Sequence, residues 1–172
     1  MIDDATPGRA RRAFDDHGAF AEDDRGYRLV ATVFDGRVEV EGTEGTGLCY
    51  RLTVRAPTLS AATEEDVGPS VEAGWLDTYE LRLEDAPGAV RDDVALEELT
   101  VLTENGTTVV AEFSLVGDAD RAPAVAEAVA QYAQGTYVEG VVPGYTYEPP
   151  VSELLSRARE AGDGDGTGPM PL

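Results

Sequence analysis

The side chains most suited to chemistry in this chain are its single histidine, His17, and its single cysteine, Cys49. Strand alternation places Cys49 on the same face as Arg51, and a neighbouring guanidinium favours the reactive thiolate. A nucleophilic cysteine also needs a base close by, usually a histidine, and no pattern brings His17 to it. Protein zinc sites need several His or Cys ligands. The sequence therefore predicts no catalytic residue and no metal site, with His17 at a helix end and Cys49 packed as a small apolar side chain.

Two glycine-rich segments resemble ligand-binding loops but lack their defining residues. Residues 42–47 contain three glycines, yet no Gly-Lys-Ser/Thr follows, and the segment joins two predicted strands. Residues 163–166 read Asp-Gly-Asp-Gly, but the chain ends before the bidentate glutamate that a calcium loop needs at its twelfth position. Both segments are interpreted as flexible loops, and no cofactor is predicted.

Aromatic residues and one acid form the candidate binding surface. Asp77 shares strand parity with Trp75, so it either points inward and needs hydrogen-bond partners or precedes the strand and stays solvated. Tyrosine and tryptophan are favoured in interfaces and ligand sites, although they are equally normal at the edge of a core. The candidate residues are Trp75, Asp77, Tyr137, Tyr145 and Tyr147.

Charge dominates the composition. Asp and Glu number 34 against 13 basic residues, all of them arginine, and the net charge is −21. Such repulsion opposes folding at low ionic strength, whereas in about 1 M salt the screening length falls to roughly 3 Å. A halophilic archaeal protein with hydrated cations at its surface is predicted, and an acidic protein of a GC-rich bacterium is the alternative. Nucleic acid and anionic membranes are disfavoured as partners, because both require clustered Arg or Lys.

Length and termini predict one cytoplasmic domain. The 172 residues suit a single core, assigned to residues 1–161, and residues 162–172 are predicted to be a disordered tail. A lone cysteine indicates a reducing compartment. The acidic start lacks the apolar region of a signal peptide, and no apolar run approaches the ~18 residues of a membrane span.

Hydrophobic periodicity predicts an α+β fold in two layers. A helix is expected over residues 7–17, a second helix from Asp120 to Gly135, and a third from Val151, with an extended segment at 136–149. Turns are expected at Asp35-Gly36 and Asn105-Gly106, and residues 63–70 are expected at the tip of a long hairpin. Six antiparallel strands are expected near residues 27–34, 37–41, 48–55, 78–84, 99–101 and 109–115. The helices should cover the apolar sheet face.

Three segments resemble those of small, acidic, uncharacterised haloarchaeal proteins: FDDHGAF at 14–20, VFDGRVEVEG at 33–42 and AVAQYAQGTYVEGVVPGYTY at 128–147. The order of helix, hairpin-rich sheet and helix is also similar to the secretion-chaperone-like fold of the YbjN type. That resemblance implies a module that forms dimers and acts by binding.

These observations favour a non-enzymatic, protein-binding or chaperone-like module that forms a homodimer or docks on another protein. The alternative is a small enzyme or small-molecule-binding protein with a pocket between sheet and helices. Enzymatic activity stays open, with the missing catalytic pattern weighing against it.

Overall fold

The computed structural model describes residues 5–45 and 47–165. Within these residues, five α-helices and one 3-10 helix accompany six strands. The helices are α1 (Ala5–Asp16), α2 (Leu59–Ala62), α3 (Pro69–Leu83), the 3-10 helix (Ala86–Ala89), α4 (Ala122–Glu139) and α5 (Val151–Asp165). The strands are β1 (Phe20–Asp23), β2 (Gly26–Leu29), β3 (Asp35–Glu44), β4 (Gly47–Pro57), β5 (Val94–Glu104) and β6 (Thr108–Gly117).

The strands form one antiparallel sheet in the order β1-β2-β3-β4-β6-β5. On the central strand β4, Leu48, Tyr50 and Leu52 are buried, while Cys49 and Arg51 between them are partly exposed. This alternation is that of a strand packed on one face only. The α+β class, the six antiparallel strands, the N-terminal helix and the C-terminal helices are confirmed.

The core lies between the sheet and the helices. Phe113 on β6 is fully buried, as the predicted register requires. Phe14 of α1 stacks on Tyr27 of β2 with ring centroids 4.5 Å apart, so the N-terminal helix is fixed to the sheet by aromatic packing. In the part of the chain described, no helix is both long and apolar enough to span a membrane.

The predicted strand at residues 78–84 is wrong, because this segment belongs to α3. Tyr79, Leu81 and Leu83 alternate, but the buried residues of the element are Trp75, Tyr79 and Leu83, each four positions from the next. That spacing is helical, and Leu81 is 66% exposed. A proline in the first turn favours the helix start. Residues 63–68 accordingly connect α2 to α3 and residues 69–70 begin α3, so the segment does not form a hairpin tip.

The N-terminal strands also differ from the prediction. Asp35-Gly36 is not a turn, since Gly36 pairs with Leu29 inside the sheet. The chain turns between β2 and β3 instead, where the side-chain oxygen of Gln134 accepts hydrogen bonds from Val33 N (2.8 Å) and Phe34 N (3.2 Å). The Gln134 side chain from α4 therefore stabilises the turn by accepting backbone hydrogen bonds, whereas the sequence predicted that local turn residues would stabilise it. The four-residue strand β1 was not predicted.

The helix ends shift as well. The chain passes Gly135 in helical conformation, and α4 ends at Glu139, because Thr136 and Tyr137 continue its buried side. Residues 136–139 of the expected extended segment are therefore helical, and residues 140–150 connect α4 to α5 through turns and a single bridge from Tyr147 to Thr63. Of the predicted tail at 162–172, residues 162–165 continue the backbone of α5, and residues 166–172 lie outside the described residues. The assignment of 1–161 as one domain and 162–172 as a tail remains a prediction.

Candidate functional site

Two of the predicted binding residues, Trp75 and Tyr137, lie in a buried aromatic cluster. Their ring centroids are 5.3 Å apart, and Tyr79 and Phe34 lie 5.5 Å and 4.8 Å from Tyr137. Tyr137 donates a hydrogen bond of 2.8 Å to the carbonyl of Pro57 at the end of β4, and burial raises the pKa of its hydroxyl. The cluster joins α3 and α4 to the sheet, which is a structural role.

The space beside this cluster is small. Trp75, Tyr79 and Thr136 line a cavity of about 10 Å³, which is room for one water at most. A drug-sized ligand needs several hundred Å³. The geometry at Trp75 and Tyr137 therefore does not favour the alternative of a small-molecule pocket between sheet and helices.

The other three predicted residues, Asp77, Tyr145 and Tyr147, lie outside the buried aromatic cluster. Asp77 is exposed on α3, which matches the solvated alternative for this carboxylate. Tyr147 is partly buried and donates a hydrogen bond of 2.6 Å to the carbonyl of Val142, and Tyr145 is also partly buried. The five residues do not form one continuous exposed surface, and their part in binding remains a prediction.

The single histidine and the single cysteine lie in different parts of the fold. His17 Nε2 lies 2.9 Å from a carboxylate oxygen of Glu127 and links α1 to α4. Cys49 is partly buried on the sheet face that carries Arg51. Within residues 5–45 and 47–165, no group of three or more His, Cys, Asp or Glu side chains is placed to hold a metal ion.

The sheet face that carries Cys49, Arg51, Thr53 and Arg55 is here called the polar face. Arg51 contacts three carboxylates on it: Glu41 at 2.8 Å, Glu112 at 3.2 Å and Glu39 at 3.8 Å. Arg55 lies 2.5 Å from Glu104. These ion pairs run across β3, β4, β6 and β5, so Arg51 and Arg55 are already occupied by carboxylates of the same sheet.

A depression of about 220 Å³ on the polar face is lined in part by these paired groups, among them Arg55, Glu104 and Glu112, and also by Arg37. Arg37 forms a 2.6 Å ion pair with Asp23. The hydrogen bond from Arg37, followed by that from the Arg25 backbone, lowers the pKa of Asp23 to about 2. A charged ligand in this depression would have to displace internal ion pairs, so the depression is a weak candidate for ligand binding.

The strongest candidate is the free side of β5. This strand has 11 residues and lies at the end of the sheet, paired with β6 on one side only. A bulge interrupts its register between Leu96 and Glu98, and pairing then continues without a shift to Glu104. A strand at a sheet edge presents unpaired backbone N–H and C=O groups that another strand can bind. We call residues 98–104 the β5 edge.

The β5 edge carries apolar side chains on both faces of the sheet, between the glutamates at its two ends. Leu99 and Val101 lie opposite the buried Phe113 and Ala111 and are only partly buried. Leu102, on the polar face, is 39% exposed. An added strand would therefore find apolar contacts on both faces as well as backbone partners.

Comparison with known proteins assigns the chain to a family. A family model described as a family of unknown function (DUF5813) matches residues 15–157. The chain belongs to this family. None of the curated proteins and none of the solved structures compared matches it.

The DUF5813 region contains all six strands together with α3 and α4. It therefore includes both the aromatic cluster and the β5 edge. The sequence predicted a strand around Leu99 and Val101, but it did not indicate that this strand ends the sheet. The only available signal was the Asn105-Gly106 turn, which pairs β5 with β6 and leaves the position of β4 open.

Proposed function

We propose that this protein is a non-enzymatic binding module that takes up an extended segment of a partner protein along the β5 edge. The single observation that supports the proposal is the seven-residue stretch Glu98–Glu104, in continuous register with β6 and without a second neighbouring strand in the part of the chain described. Strand addition uses main-chain hydrogen bonds for affinity and alternate side chains for specificity.

The opposite end of the sheet is less suited to this role. There β1 has only four residues, and α1 packs against it. Short and covered edge strands are the usual protection against unwanted pairing. β5 is almost three times as long and carries Leu102 in an exposed position. A partner strand would therefore form more backbone hydrogen bonds and apolar contacts at β5 than at β1.

A pair of adjacent proline substitutions tests the proposal. Backbone N–H groups of successive strand residues point to opposite sides of the strand, so of Thr100→Pro and Val101→Pro one removes a donor facing β6 and the other a donor facing outward. The outward variant should keep its melting temperature, because proline is tolerated on that side of an edge strand. It should also lose partner binding.

The assay begins with proteins captured from the native lysate by the wild-type chain. Each captured protein is then purified and titrated against the wild type, the folded proline variant and Leu81→Ala, a matched control on the exposed side of α3. Hydrogen exchange on the complex should show protection of amides in residues 98–104. Equal binding by the proline variant, or protection confined to α3 or the centre of the polar face, would contradict strand addition at β5.

A further inference from the structure

We infer that the segment added to the β5 edge is cationic, with a basic side chain opposite Glu98. This inference rests on the proposed function and adds to it the chemistry of the partner. It follows from the distribution of charge around β5, from the ion pairs that already exist there, and from the order of side chains along the edge.

The hairpin that carries the edge and the residues that flank it contain acidic side chains and no basic ones. Between Arg91 and Arg121 the chain has no basic residue, and within that stretch eight carboxylates occur. These acids are Asp92, Asp93, Glu97, Glu98, Glu104, Glu112, Asp118 and Asp120. An approaching strand therefore meets negative charge from its first contact, which favours cationic partners and disfavours anionic ones.

Half of these carboxylates are already neutralised by arginines from other elements. Asp92 and Asp120 pair with Arg121 and Arg9, and Glu104 and Glu112 pair with arginines of β4. Glu97 and Glu98 form no ion pair with any described residue, and both are exposed where the bulge meets the β5 edge. The unused negative charge thus lies at one end of the pairing stretch.

The same charges argue against a second copy of this chain as the occupant. Two β5 edges in antiparallel contact would bring two sets of Glu97, Glu98 and Glu104 to one interface, and each copy carries a net charge of −21. Like charges facing each other across strands are destabilising. The acidic edge therefore discourages self-association while it remains open to a basic segment.

Side-chain order along the edge defines the partner more closely. On the polar face, β5 presents Glu98, Thr100, Leu102 and Glu104 in turn. Cross-strand neighbours are favourable when charges are opposite or when apolar side chains meet. An antiparallel partner would place a basic residue opposite Glu98, a β-branched residue opposite Thr100 and an apolar residue opposite Leu102.

Three end-capped peptides serve as probes: RTVTVTR, its neutral counterpart QTVTVTQ and its acidic counterpart ETVTVTE. Each is titrated into nitrogen-15-labelled full-length protein at the lowest salt concentration that keeps the spectrum of the folded chain. RTVTVTR should bind most tightly and shift the amides of residues 98–104. The double variant Glu97→Gln, Glu98→Gln should weaken its binding about fivefold, and 2 M KCl should remove most of that difference.

The outcomes separate the two proposals. If QTVTVTQ and RTVTVTR bind the β5 edge equally well, and the double variant binds both as the wild type does, the cationic preference is wrong and strand addition stands. If no peptide shifts these amides and the proline variants leave partner binding unchanged, strand addition itself is wrong. A dimer in sedimentation that the outward proline variant abolishes would show that a second copy occupies the edge, which also overturns the inference.

Discussion

Two buried tyrosines should respond in opposite directions when their hydroxyl groups are removed. The Tyr50 side chain is 1% exposed, and its hydroxyl has no hydrogen-bond partner among the described residues. Tyr137 is equally buried, but its hydroxyl donates to the carbonyl of Pro57. Burial raises the pKa of both hydroxyls, so both stay protonated at neutral pH and the comparison is one of neutral groups.

The expected changes in the free energy of unfolding follow from whether each hydroxyl has a hydrogen-bond partner. A buried polar group without a partner costs about 1–3 kcal/mol, and a satisfied hydrogen bond contributes about 1 kcal/mol net. Tyr50→Phe should therefore stabilise the protein by about 1 kcal/mol or more, since the ring is retained. Tyr137→Phe should destabilise it by about 1 kcal/mol, with a further cost for the carbonyl that loses its donor.

Urea unfolding at high salt measures both variants, with the slope of the transition as the check that the unfolded state is unchanged. For a chain of this size, 1 kcal/mol corresponds to a melting-temperature shift of about 2–4 °C. A loss of stability in Tyr50→Phe as large as that in Tyr137→Phe would refute the reasoning. Such a result would mean that the Tyr50 hydroxyl has a favourable partner in solution.

Four further predictions concern other parts of the molecule. Phe113→Ala should lower the free energy of unfolding by about 3–5 kcal/mol, because the ring is fully buried at the centre of the sheet; an effect below 1 kcal/mol in chemical denaturation would contradict its central position. Gly106→Val should cost about 1–3 kcal/mol, because φ is +70° there and a branched side chain disfavours that conformation; Gly88→Val, where φ is not positive, is the matched control. The folded-state pKa of Asp23 is depressed to about 2 from an ordinary 3.8, so its contribution to stability is complete above the ordinary value and is lost as the pH falls through about 2; NMR titration of the carboxyl should show a higher pKa in Arg37→Gln than in the wild type, with part of the depression retained because the Arg25 backbone hydrogen bond remains. Finally, the melting temperature should rise with KCl between 0.1 and 2 M, because about −21 charges per chain repel one another at low salt; a melting temperature independent of salt would contradict the halophilic interpretation.

The sheet was predicted where strands are packed on one face. β4 alternates strictly between buried and more exposed residues, and β6 does so from Ala111 to Leu115. This alternation at period two favours a strand. Part of α3 was wrongly predicted as a strand, because apolar residues occur on more than one side of this helix. Leu81 is exposed, while Trp75, Tyr79 and Leu83 are buried. When an exposed leucine falls between two buried residues, strand and helix periods cannot be told apart over so short a segment.

The candidate site depends on strand order, which local patterns do not specify. The position of β5 at the end of the sheet results from the pairing of β4 with β6, two strands separated by residues 58–107. The Asn105-Gly106 turn predicted the hairpin of β5 and β6, but which of the two faces β4 is decided by packing across the whole chain. The aromatic residues that the sequence suggested for binding do not lie on this edge. Trp75 and Tyr137 instead pack in the core.

The pairing of β4 with β6 also affects the order in which the chain can fold. β1 to β4 form a local meander that leaves the ribosome first, with β4 as its last strand and its apolar Leu52 and Val54 in place. Until β6 has been synthesised, β4 is an edge strand of the nascent sheet with one side unpaired. Non-local strand pairing is slow because loop closure must come before its contacts, and unpaired strands are prone to aggregate meanwhile. During synthesis the strand edge most prone to aggregate is therefore β4. In the folded protein the free edge is the acidic β5 edge.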